Sequence, residues 1–325
     1  MRFLVTGAAG FIGSHLAEEL ISNGHSVIGI DNLANGLTSN VDYLKNLDST
    51  KNNFTFIEAD IRDKLACEQF TKNIDIVFHQ AALGSVPRSF KHPLDFHETN
   101  TTGFLNVLHA SIKNNVQKFI YASSSSVYGD DPNLPKTEDK VGNCLSPYAL
   151  SKKHNELYAK LMRQHSPLQI TGIRYFNVFG ARQRADSAYA AVIPKWIHAL
   201  RNNVPVEIYG DGETSRDFCY VKNVVAANIL IAEHEQKNNS PDIFNIACGD
   251  KTTLTELFFK IKNEVQKYET VAQNEPQYKN FRDGDIRHSL ANIELAIQHL
   301  AYKPQFLIDN GIKETVKWFL NLPSK

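Results

Sequence analysis

Two side chains of this sequence, Tyr148 and Lys152, stand four residues apart and could act together on a proton. On a helix, this spacing places both side chains on one face. An ammonium group beside a phenol stabilises the phenolate and lowers the tyrosine pKa from its usual value near ~10. A run of serines at residues 123–126 precedes the pair and offers a hydroxyl that could pass a proton. These residues predict a device that removes a proton from an alcohol, with tyrosine as base, lysine as activator and serine as relay.

The composition limits the kinds of protein that this chain can be. Its 325 residues suggest two domains, or one large domain with an added lobe, and a hydrophobic content of 42% is enough for a substantial core. Lysine plus arginine and aspartate plus glutamate both number 35, so the net charge is zero. A nucleic-acid partner or an anionic membrane surface would favour a basic excess, and the balance argues against both.

The cysteines and histidines give no sign of a metal site or a disulfide framework. Four cysteines are scattered without a CxxC pair, which favours reduced thiols in a cytoplasmic protein. Twelve histidines show no paired metal-ligand spacing, so we predict no metal. The apolar start is interrupted by Gly7, Gly10 and Gly13 and does not resemble a signal peptide. No run reaches the ~18 apolar residues of a membrane span.

Up to about residue 175, short apolar runs alternate with amphipathic stretches such as 14–22 and 100–114. This alternation predicts βαβ units and a doubly wound parallel sheet of the Rossmann type, which is an α/β fold. Ser146 can cap the helix that carries Tyr148, Pro147 suits its first turn, and the helix should end near Gln164. The runs expected to form strands are 3–5, 26–30, 54–57, 74–78, 118–122 and 169–173.

Beyond Asn177 the pattern loosens into loops rich in glycine, arginine and aspartate. We predict a nucleotide-binding domain at residues 1–176 and a smaller mixed α/β substrate lobe at 177–325. The apolar run at 242–246 suggests that the chain returns to the main sheet within residues 220–248. The two parts should then pack together around a cleft.

Gly7, Gly10 and Gly13 follow the first predicted strand and open the first helix. Glycines at this spacing let the backbone approach a pyrophosphate, which the N-terminus of a helix stabilises. Asp31, at the end of the second strand, can accept hydrogen bonds from ribose hydroxyls and would repel a 2′-phosphate. The pattern therefore predicts NAD rather than NADP as cofactor. Further cofactor contacts are expected after the third and fourth strands, at Asp60, Ile61, Gln80, Ala81 and Ala82.

These features together resemble the extended short-chain dehydrogenases/reductases, and in particular the nucleotide-sugar 4-epimerases, over essentially the whole chain. The motifs that carry this resemblance are His79-Gln80-Ala81-Ala82, Asn100-Thr101-Thr102-Gly103, Ser126-Val127-Tyr128-Gly129, Arg174-Tyr175-Phe176-Asn177, Arg216-Asp217 and Arg282-Asp283-Gly284-Asp285. Within that group the chain looks most like bacterial UDP-N-acetylglucosamine 4-epimerases, which supply surface polysaccharides. The stretches that carry this closer likeness are Leu83-Gly84-Ser85-Val86-Pro87-Arg88-Ser89, Tyr189-Ala190-Ala191-Val192-Ile193-Pro194-Lys195-Trp196 and Asp285-Ile286-Arg287-His288-Ser289.

The resemblance implies a reversible inversion at C4 of a UDP-sugar through a 4-keto intermediate, with NAD bound. Tyr148 would be the base, Ser124 the relay, and Lys152 would also hold the nicotinamide ribose. Further positions match the cofactor contacts of the family, namely Phe11, Ile12, Asn32, Leu83, Asn100 and Phe176. The positions that match substrate contacts are Gly84, Ser85, Ser125, Ser126, Asn177, Ala191, Val192, Tyr209, Arg216, Arg282, Asp285 and Ser289. Phe11 and Phe176 could equally be core aromatics.

Ser289 bears on the choice of sugar. In related enzymes restricted to UDP-glucose and UDP-galactose, a tyrosine commonly narrows the pocket at this position. A serine leaves room for an N-acetyl group, so the resemblance favours UDP-N-acetylglucosamine and UDP-N-acetylgalactosamine. Uronic-acid substrates remain open because Arg88, Arg182 and Arg184 could meet a carboxylate. Plain UDP-hexoses, a dehydratase or decarboxylase reaction and a non-catalytic NAD-binding role are further alternatives.

The resemblance also implies a homodimer. Many relatives pair through two neighbouring helices to give a four-helix interface. Residues 100–114 and 146–164 would form it here. The first of these segments would contribute Phe104, Leu105, Leu108 and Ile112.

Overall fold

The computed structural model describes residues 1–48, 53–185, 191–235, 240–272, 275–281 and 286–322. Its strands are β1 (Arg2–Thr6), β2 (Ser26–Asp31), β3 (Phe54–Glu58), β4 (Ile76–His79), β5 (Lys118–Ser124), β6 (Gln169–Tyr175), β7 (Val178–Phe179), β8 (Glu207–Tyr209), β9 (Ser215–Arg216), β10 (Cys219–Tyr220), β11 (Ile243–Ile246), β12 (Thr252–Thr253) and β13 (Gln277–Lys279). Its helices are α1 (Phe11–Ser22), α2 (Thr38–Leu47), α3 (Lys64–Phe70), α4 (Val86–Lys91), α5 (Pro93–Phe96), α6 (Phe104–Lys113), α7 (Pro147–His165), α8 (Val192–Arg201), α9 (Val221–Glu233), α10 (Leu254–Val265), α11 (Glu294–Leu300) and α12 (Ile308–Leu320).

A seven-stranded sheet forms the centre of the fold, with the strand order β11-β6-β5-β4-β1-β2-β3. All of its neighbouring strands run parallel. Every apolar run that the sequence analysis assigned as a strand lies in this sheet, so the predicted doubly wound α/β fold is confirmed. Strand β11 pairs with β6 and brings the chain back to the sheet. The division into domains at residue 176 stays a prediction.

The order of the strands creates the place for a ligand. After β3 the chain crosses back to the other side of β1, so the connections that follow β1 and β4 leave the sheet in opposite directions. In open parallel sheets such a reversal opens a crevice at the carboxyl ends of the strands. The turns after β1, β2, β4 and β5 all meet at this edge.

Two apolar layers cover the faces of the sheet. Helices α1, α2, α9 and α11 pack on one face, around side chains such as Phe78 and Ile120. Helices α3, α6 and α7 pack on the other, around Phe119 and Tyr121. A separate core, with Trp196 at its centre, joins α8, α10 and α12 in the second part of the chain.

Helix α7 matches its prediction closely. The Ser146 hydroxyl accepts a hydrogen bond from the amide of Ala149 at 3.1 Å, and Pro147 occupies the first turn. The helix ends at His165, one residue beyond the predicted end. The helix expected at residues 100–114 differs, because its first part belongs to a π-helical stretch, His97–Gly103, that continues into α6. Gly103 lies where a Cβ would come within 2.7 Å of the Ile61 side chain.

Candidate active site

A cleft of about 760 Å³ opens at the carboxyl ends of the central strands. One wall is the Rossmann sheet with its loops, and the opposite wall includes residues 182–184 and Ala191. The structure brings most of the predicted cofactor and catalytic residues together here. Those that line the cleft are Gly7, Gly10, Phe11, Ile12, Gly13, Asp31, Asn32, Ile61, Gln80, Ala81, Ala82, Leu83, Gly84, Ser85, Ser124, Tyr148, Lys152 and Ala191.

The glycine turn between β1 and α1 is shaped by close backbone contacts. Gly7 has a φ of +73°, and a Cβ there would lie 2.8 Å from the backbone nitrogen of Ala81. A Cβ on Gly13 would lie 2.1 Å from the Gly7 carbonyl oxygen. Helix α1 begins without a side-chain cap at Gly10, so its first amides point toward the cleft. The turn therefore fits a pyrophosphate at the N-terminus of the helix.

The end of strand β2 holds a carboxylate in a fixed position. Asp31 accepts hydrogen bonds from the amides of Ala9 at 3.1 Å and Leu33 at 2.9 Å. Burial raises the pKa of this carboxyl, and the backbone hydrogen bonds oppose that rise. Asn32 donates to Asp60 at 2.9 Å, so Asp60 acts from behind the cleft rather than lining it. The Arg62 guanidinium beside Asp60 lowers the pKa of that carboxyl to about 2.

Buried atoms without partners also indicate a polar ligand. Among the described residues, Arg182 Nη1 and Gln183 Oε1 are buried and have no hydrogen-bond partner, and both residues line the cleft. A buried unpaired polar atom costs roughly 1–3 kcal/mol, so such atoms are usually satisfied by a ligand or water. With the glycine turn and Asp31, these hydrogen-bond donors and acceptors fit a dinucleotide. The residues present are therefore suited to hold NAD.

The predicted catalytic side chains converge where strand β5 ends against helix α7. Lys152 donates from Nζ to the carbonyl of Ala122 at 2.8 Å, and Ser124 forms a side-chain hydrogen bond with Tyr148. Ser126 donates its hydroxyl to Ser124 Oγ at 2.9 Å. Ser124 thus links the tyrosine to the serine run, as its assignment as the relay requires.

The protonation of the pair differs from the expectation. Burial raises the pKa of Tyr148, with the hydrogen bond to Ser124 acting in the opposite direction, so the expected lowering of this pKa by Lys152 is wrong. Burial also lowers the Lys152 pKa to about 8, while the nearby Glu156 carboxylate opposes this shift. The expectation failed because both groups are removed from water, which disfavours their charged forms. The Lys152 ammonium makes its hydrogen bond to the Ala122 carbonyl.

Glu156 is a residue that the sequence analysis missed. Its buried carboxylate accepts hydrogen bonds from Arg174 Nε and Nη2, both at 2.9 Å, and from Ser123 Oγ at 2.6 Å. The signal was available, because Glu156 follows Lys152 by four residues and shares its helix face. These bonds join α7 to the ends of β5 and β6 directly beneath the catalytic pair.

Some predicted cofactor residues act from behind the cleft. Asn100 is buried and bonds both backbone groups of Leu83, accepting from N at 2.7 Å and donating to O at 3.0 Å. Phe176 is completely buried and packs against the Tyr128 ring, so its side chain belongs to the core. Ser125 and Ser126 form a short 3₁₀ turn after Ser124.

The predicted diphosphate contacts lie in the second part of the chain, outside the lining of this cleft. Arg216 donates to the carbonyls of Ser215 at 2.9 Å and Arg287 at 3.2 Å, and the amide of Ser289 donates to Ser215 at 3.1 Å. Ser289 thus lies close to Arg216. Tyr209 is placed by strand β8, Val192 begins helix α8, and Asn177 donates to the Asp217 carbonyl. Arg282 and Asp285 lie outside the described residues.

Asp217 was named in the Arg216-Asp217 motif, but the sequence analysis gave it no role of its own. It is fully buried, and its carboxylate accepts from the amides of Cys248 at 2.9 Å, Gly249 at 3.0 Å and Ala291 at 3.3 Å. Burial raises its pKa to about 6 despite these bonds. Asp217 joins three segments around Arg216 and so fixes the backbone that carries this arginine.

The described ranges also bear on metal binding and on membrane insertion. Within them, no group of three or more His, Cys, Asp or Glu side chains could hold a metal ion. No helix in this part of the chain is long and apolar enough to span a membrane. Cys67, Cys144, Cys219 and Cys248 are free thiols. The cytoplasmic location stays a prediction.

The lowered pKa of Lys152 predicts a pH-dependent stability. The folded protein releases this proton near pH 8, before the unfolded chain does near ~10.4. The cost of the buried ammonium is therefore complete below pH 8 and is relieved as the pH rises toward 10. We expect the free energy of unfolding of the wild type, relative to Lys152→Met, to rise by up to about 3 kcal/mol over this interval. Urea unfolding at each pH measures it, with the exposed Lys160→Met on the same helix as control. If the difference in unfolding free energy between the wild type and Lys152→Met did not change with pH, the pKa of Lys152 could not lie near 8.

Known proteins are similar to this chain in both sequence and structure. The model of the NAD dependent epimerase/dehydratase family matches residues 3–247. A putative UDP-glucose 4-epimerase of Methanocaldococcus jannaschii is 36% identical over 320 residues, 98% of each chain. A solved UDP-N-acetylglucosamine 4-epimerase from Methanobrevibacter ruminantium, in complex with UDP-N-acetylmuramic acid, has a TM-score of 0.89, 40% identity and 98% coverage of both chains. A UDP-glucose 4-epimerase from Thermotoga maritima, with UDP-glucose, has a TM-score of 0.89 at 36% identity, covering 98% of this chain and 99% of that one. The chain therefore belongs to the NAD-dependent epimerase/dehydratase family.

Proposed function

We propose that this NAD-dependent UDP-sugar 4-epimerase interconverts UDP-N-acetylglucosamine and UDP-N-acetylgalactosamine. The observation that carries the choice of sugar is the small side chain of Ser289, held beside Arg216 by the backbone bond to Ser215. Gly84 adds to it, since a Cβ at this exposed cleft residue would have no heavy atom within 4 Å. The likeness to a UDP-N-acetylglucosamine 4-epimerase at 40% identity supports the same choice.

In the proposed mechanism, bound NAD supplies the transient oxidation at C4 that an inversion requires. Tyr148 must be ionised to take the proton of the 4-hydroxyl, directly or through Ser124, to which it is hydrogen-bonded. The positive charge of a bound nicotinamide would favour the phenolate against the effect of burial. Lys152 stays protonated at pH 7 because its pKa is about 8, and its ammonium lies in the same cleft as the tyrosine. After the 4-keto sugar has rotated, the same tyrosine returns the proton to O4, and the returning hydride would add to the opposite face of C4.

Rotation of the sugar requires that the substrate be anchored at its nucleotide. Arg216 and, outside the described residues, Arg282 are the proposed partners of the diphosphate, since planar guanidinium groups match phosphate oxygens. Asp217 supports this anchor through its three backbone bonds. The small residues Gly84 and Ser289 leave the sugar free to turn.

The tyrosine is open to a direct test. We expect Tyr148→Phe to retain NAD and the fold but to lose C4 epimerisation by about 10²–10⁴-fold, because the phenol oxygen carries the proton. The assay is conversion of UDP-N-acetylglucosamine by purified protein without added cofactor. Tyr158→Phe is the matched control, since Tyr158 lies on the same helix and is 41% exposed. Equal activity of the two variants would rule out the proposed base.

Uronic-acid substrates are less well supported. Arg182 is paired with Glu18, and Arg88 donates to Asn35 Oδ1 at 2.9 Å. Arg184 has a contact with the Asn35 carbonyl at 3.5 Å. Arg88 and Arg184 thus have protein partners that a substrate carboxylate would have to displace. The charge of Arg182 is already paired with Glu18, although its Nη1 has no hydrogen-bond partner in the part of the chain that the structure describes. Dehydration is also disfavoured, because Ser124, Ser125 and Ser126 stand where dehydratases of the superfamily usually have Thr-Asp-Glu.

A substitution at Ser289 tests the choice of sugar. We expect Ser289→Tyr to lower kcat/KM for UDP-N-acetylglucosamine by about 10–200-fold, because the larger ring occupies the space of the N-acetyl group. The value for UDP-glucose should change much less, and Ser289→Ala should leave both nearly unchanged. Steady-state kinetics with these two sugars and UDP-N-acetylglucosaminuronate would measure the effect. A wild-type preference for the uronate, or an equal loss for all three sugars, would refute the proposal.

A homodimer is the proposed assembly, but its expected contacts need a correction. Phe104 and Leu108 of α6 are 0% and 1% exposed and pack into the chain's own core, so they cannot form an interface. The expectation is wrong for these two residues, which face the sheet, while Leu105 and Ile112 are half-buried and stay predicted contacts. Helix α7, the other predicted segment, exposes Leu150, Leu157 and Leu161 at 47%, 55% and 51% on one stripe, which favours this helix as the main contact.

The assembly is tested at that stripe. We expect the double variant Leu157→Glu and Leu161→Glu to sediment as a monomer, because the substitutions place like charges opposite each other across the two-fold axis. Sedimentation velocity at micromolar concentration would measure this. Leu65→Glu is the control, since Leu65 is 71% exposed on α3. A wild-type monomer, or a dimer that tolerates both charges, would disprove the contact.

A further inference from the structure

Four side chains from three parts of the chain meet beside the cofactor cleft. His15 and Glu18 lie on α1, Tyr43 lies on α2, and Arg182 lies in the loop that follows β7. We call them the cofactor bracket. Arg182 Nη2 donates to His15 Nδ1 at 2.8 Å and forms an ion pair with Glu18. Tyr43 donates its hydroxyl to Glu18 at 2.7 Å, and the Arg182 guanidinium lies 4.9 Å from the centre of the Tyr43 ring.

The hydrogen bonds of the bracket fix the tautomer of His15. Its Nε2 lies 3.0 Å from the Ala181 carbonyl, which can only accept, so Nε2 carries the proton. Nδ1 is then free to accept from Arg182. Burial lowers the pKa of His15, which keeps the ring neutral. Burial would raise the pKa of Glu18, but its contacts with His15, Arg182 and Tyr43 outweigh that effect and lower it to about 2. At neutral pH the bracket thus holds one cation, Arg182, and one anion, Glu18. Each of the four side chains makes at least one contact with another member.

The bracket connects two walls of the cleft. Arg182 itself lines the cleft, and so do the first residues of α1, whose amides are placed for the pyrophosphate. The side chain of Arg182 is only 10% exposed, and its Nη1 is a buried donor without a hydrogen-bond partner among the described residues. Nη2 of the guanidinium is therefore bonded to His15 and Glu18 of α1, while Nη1 has no hydrogen-bond partner in the described wall of the cleft.

Asn35, in the loop after β2, has contacts with two arginines, of which only Arg184 belongs to the wall at residues 182–184. Arg88 donates to the Asn35 side chain at 2.9 Å, and Arg184 Nη1 lies 3.5 Å from the Asn35 carbonyl. All three residues line the cleft. Residues 182–184 are therefore tied to the Rossmann part both at α1 and at the loop after β2.

We propose that the cofactor bracket sets how long NAD stays bound. Arg182 must leave Glu18 and His15 before the wall at residues 182–184 can move away from the cofactor. An enzyme that regenerates its cofactor in every turnover has no need to exchange it, so a slow release is compatible with its reaction. The bracket acts on the cofactor through the wall of the cleft, and its residues are positioning residues.

The rate of NAD release tests the proposal. Protein loaded with isotopically labelled NAD is mixed with excess unlabelled NAD, and the label that remains bound is measured after rapid desalting. We expect Glu18→Gln to raise the release rate by at least about tenfold, because breaking a partly buried charge pair acts mainly on dissociation. Arg182→Lys should give an intermediate rise, since an ammonium cannot satisfy both partners. Tyr43→Phe, which keeps the ring, should change the rate least.

Glu19→Gln provides the matched control, with the same change of charge on the exposed side of α1. Its release rate should match that of the wild type. If Glu18→Gln and Arg182→Lys also release NAD at the wild-type rate, the proposal is wrong. Should Glu18→Gln fail to fold, as judged by thermal unfolding, Arg182→Lys decides the outcome. The readout is independent of which sugar the enzyme accepts, so its failure is separate from a failure of the proposed substrate.

Discussion

The register of helix α7 against the end of strand β5 is the constraint on which the catalytic geometry depends. Three consecutive strand residues, 122–124, each contact a residue on one face of the helix. The first binds the ammonium of Lys152 through its carbonyl, the second donates to Glu156, and the third is bonded to Tyr148. A slip of one residue along the strand would reverse the direction of the side chains and break this pattern. The register of α7 against β5 therefore sets both the proposed path of proton transfer through Ser124 and the position of the Lys152 ammonium.

The buried pair of Glu156 and Arg174 stabilises this register at a cost. Burying two charges removes them from water, and the attraction between them offsets this only when the geometry is good and the remaining hydrogen-bonding sites are filled. Here the contact is bidentate, and Ser123 and Tyr128 provide further partners. A pair of apolar side chains could stabilise the core as well. It would not supply the negative charge that opposes deprotonation of Lys152 within this apolar layer.

Much of this arrangement could be predicted from the sequence, because it depends on local order. The strands of the main sheet are continuous apolar runs, and Ser146 with Pro147 marks the start of α7. Contacts between distant parts of the chain gave no such signal: Arg182 and His15 are 167 residues apart. The raised pKa of Tyr148 was missed because burial is not visible in the spacing. Strand β9, with two residues, is too short to show a period.

The two ends of the cleft are built for different tasks, and the difference follows from the chemistry of an inversion. The cofactor end is rigid, with Gly7 and Gly13 in backbone contact and Asp31 fixed by two amides. The proposed sugar end carries small residues, Gly84 in the cleft and Ser289 beside Arg216. A sugar that must present both faces of C4 to one bound cofactor cannot be held by many directional contacts, since each would have to break during the turn. Binding energy therefore has to come from the nucleotide and from an enclosed cofactor. A second part of the chain that packs over the Rossmann sheet can supply both, because it carries Arg216, the proposed partner of the diphosphate, and also forms the cleft wall at residues 182–184.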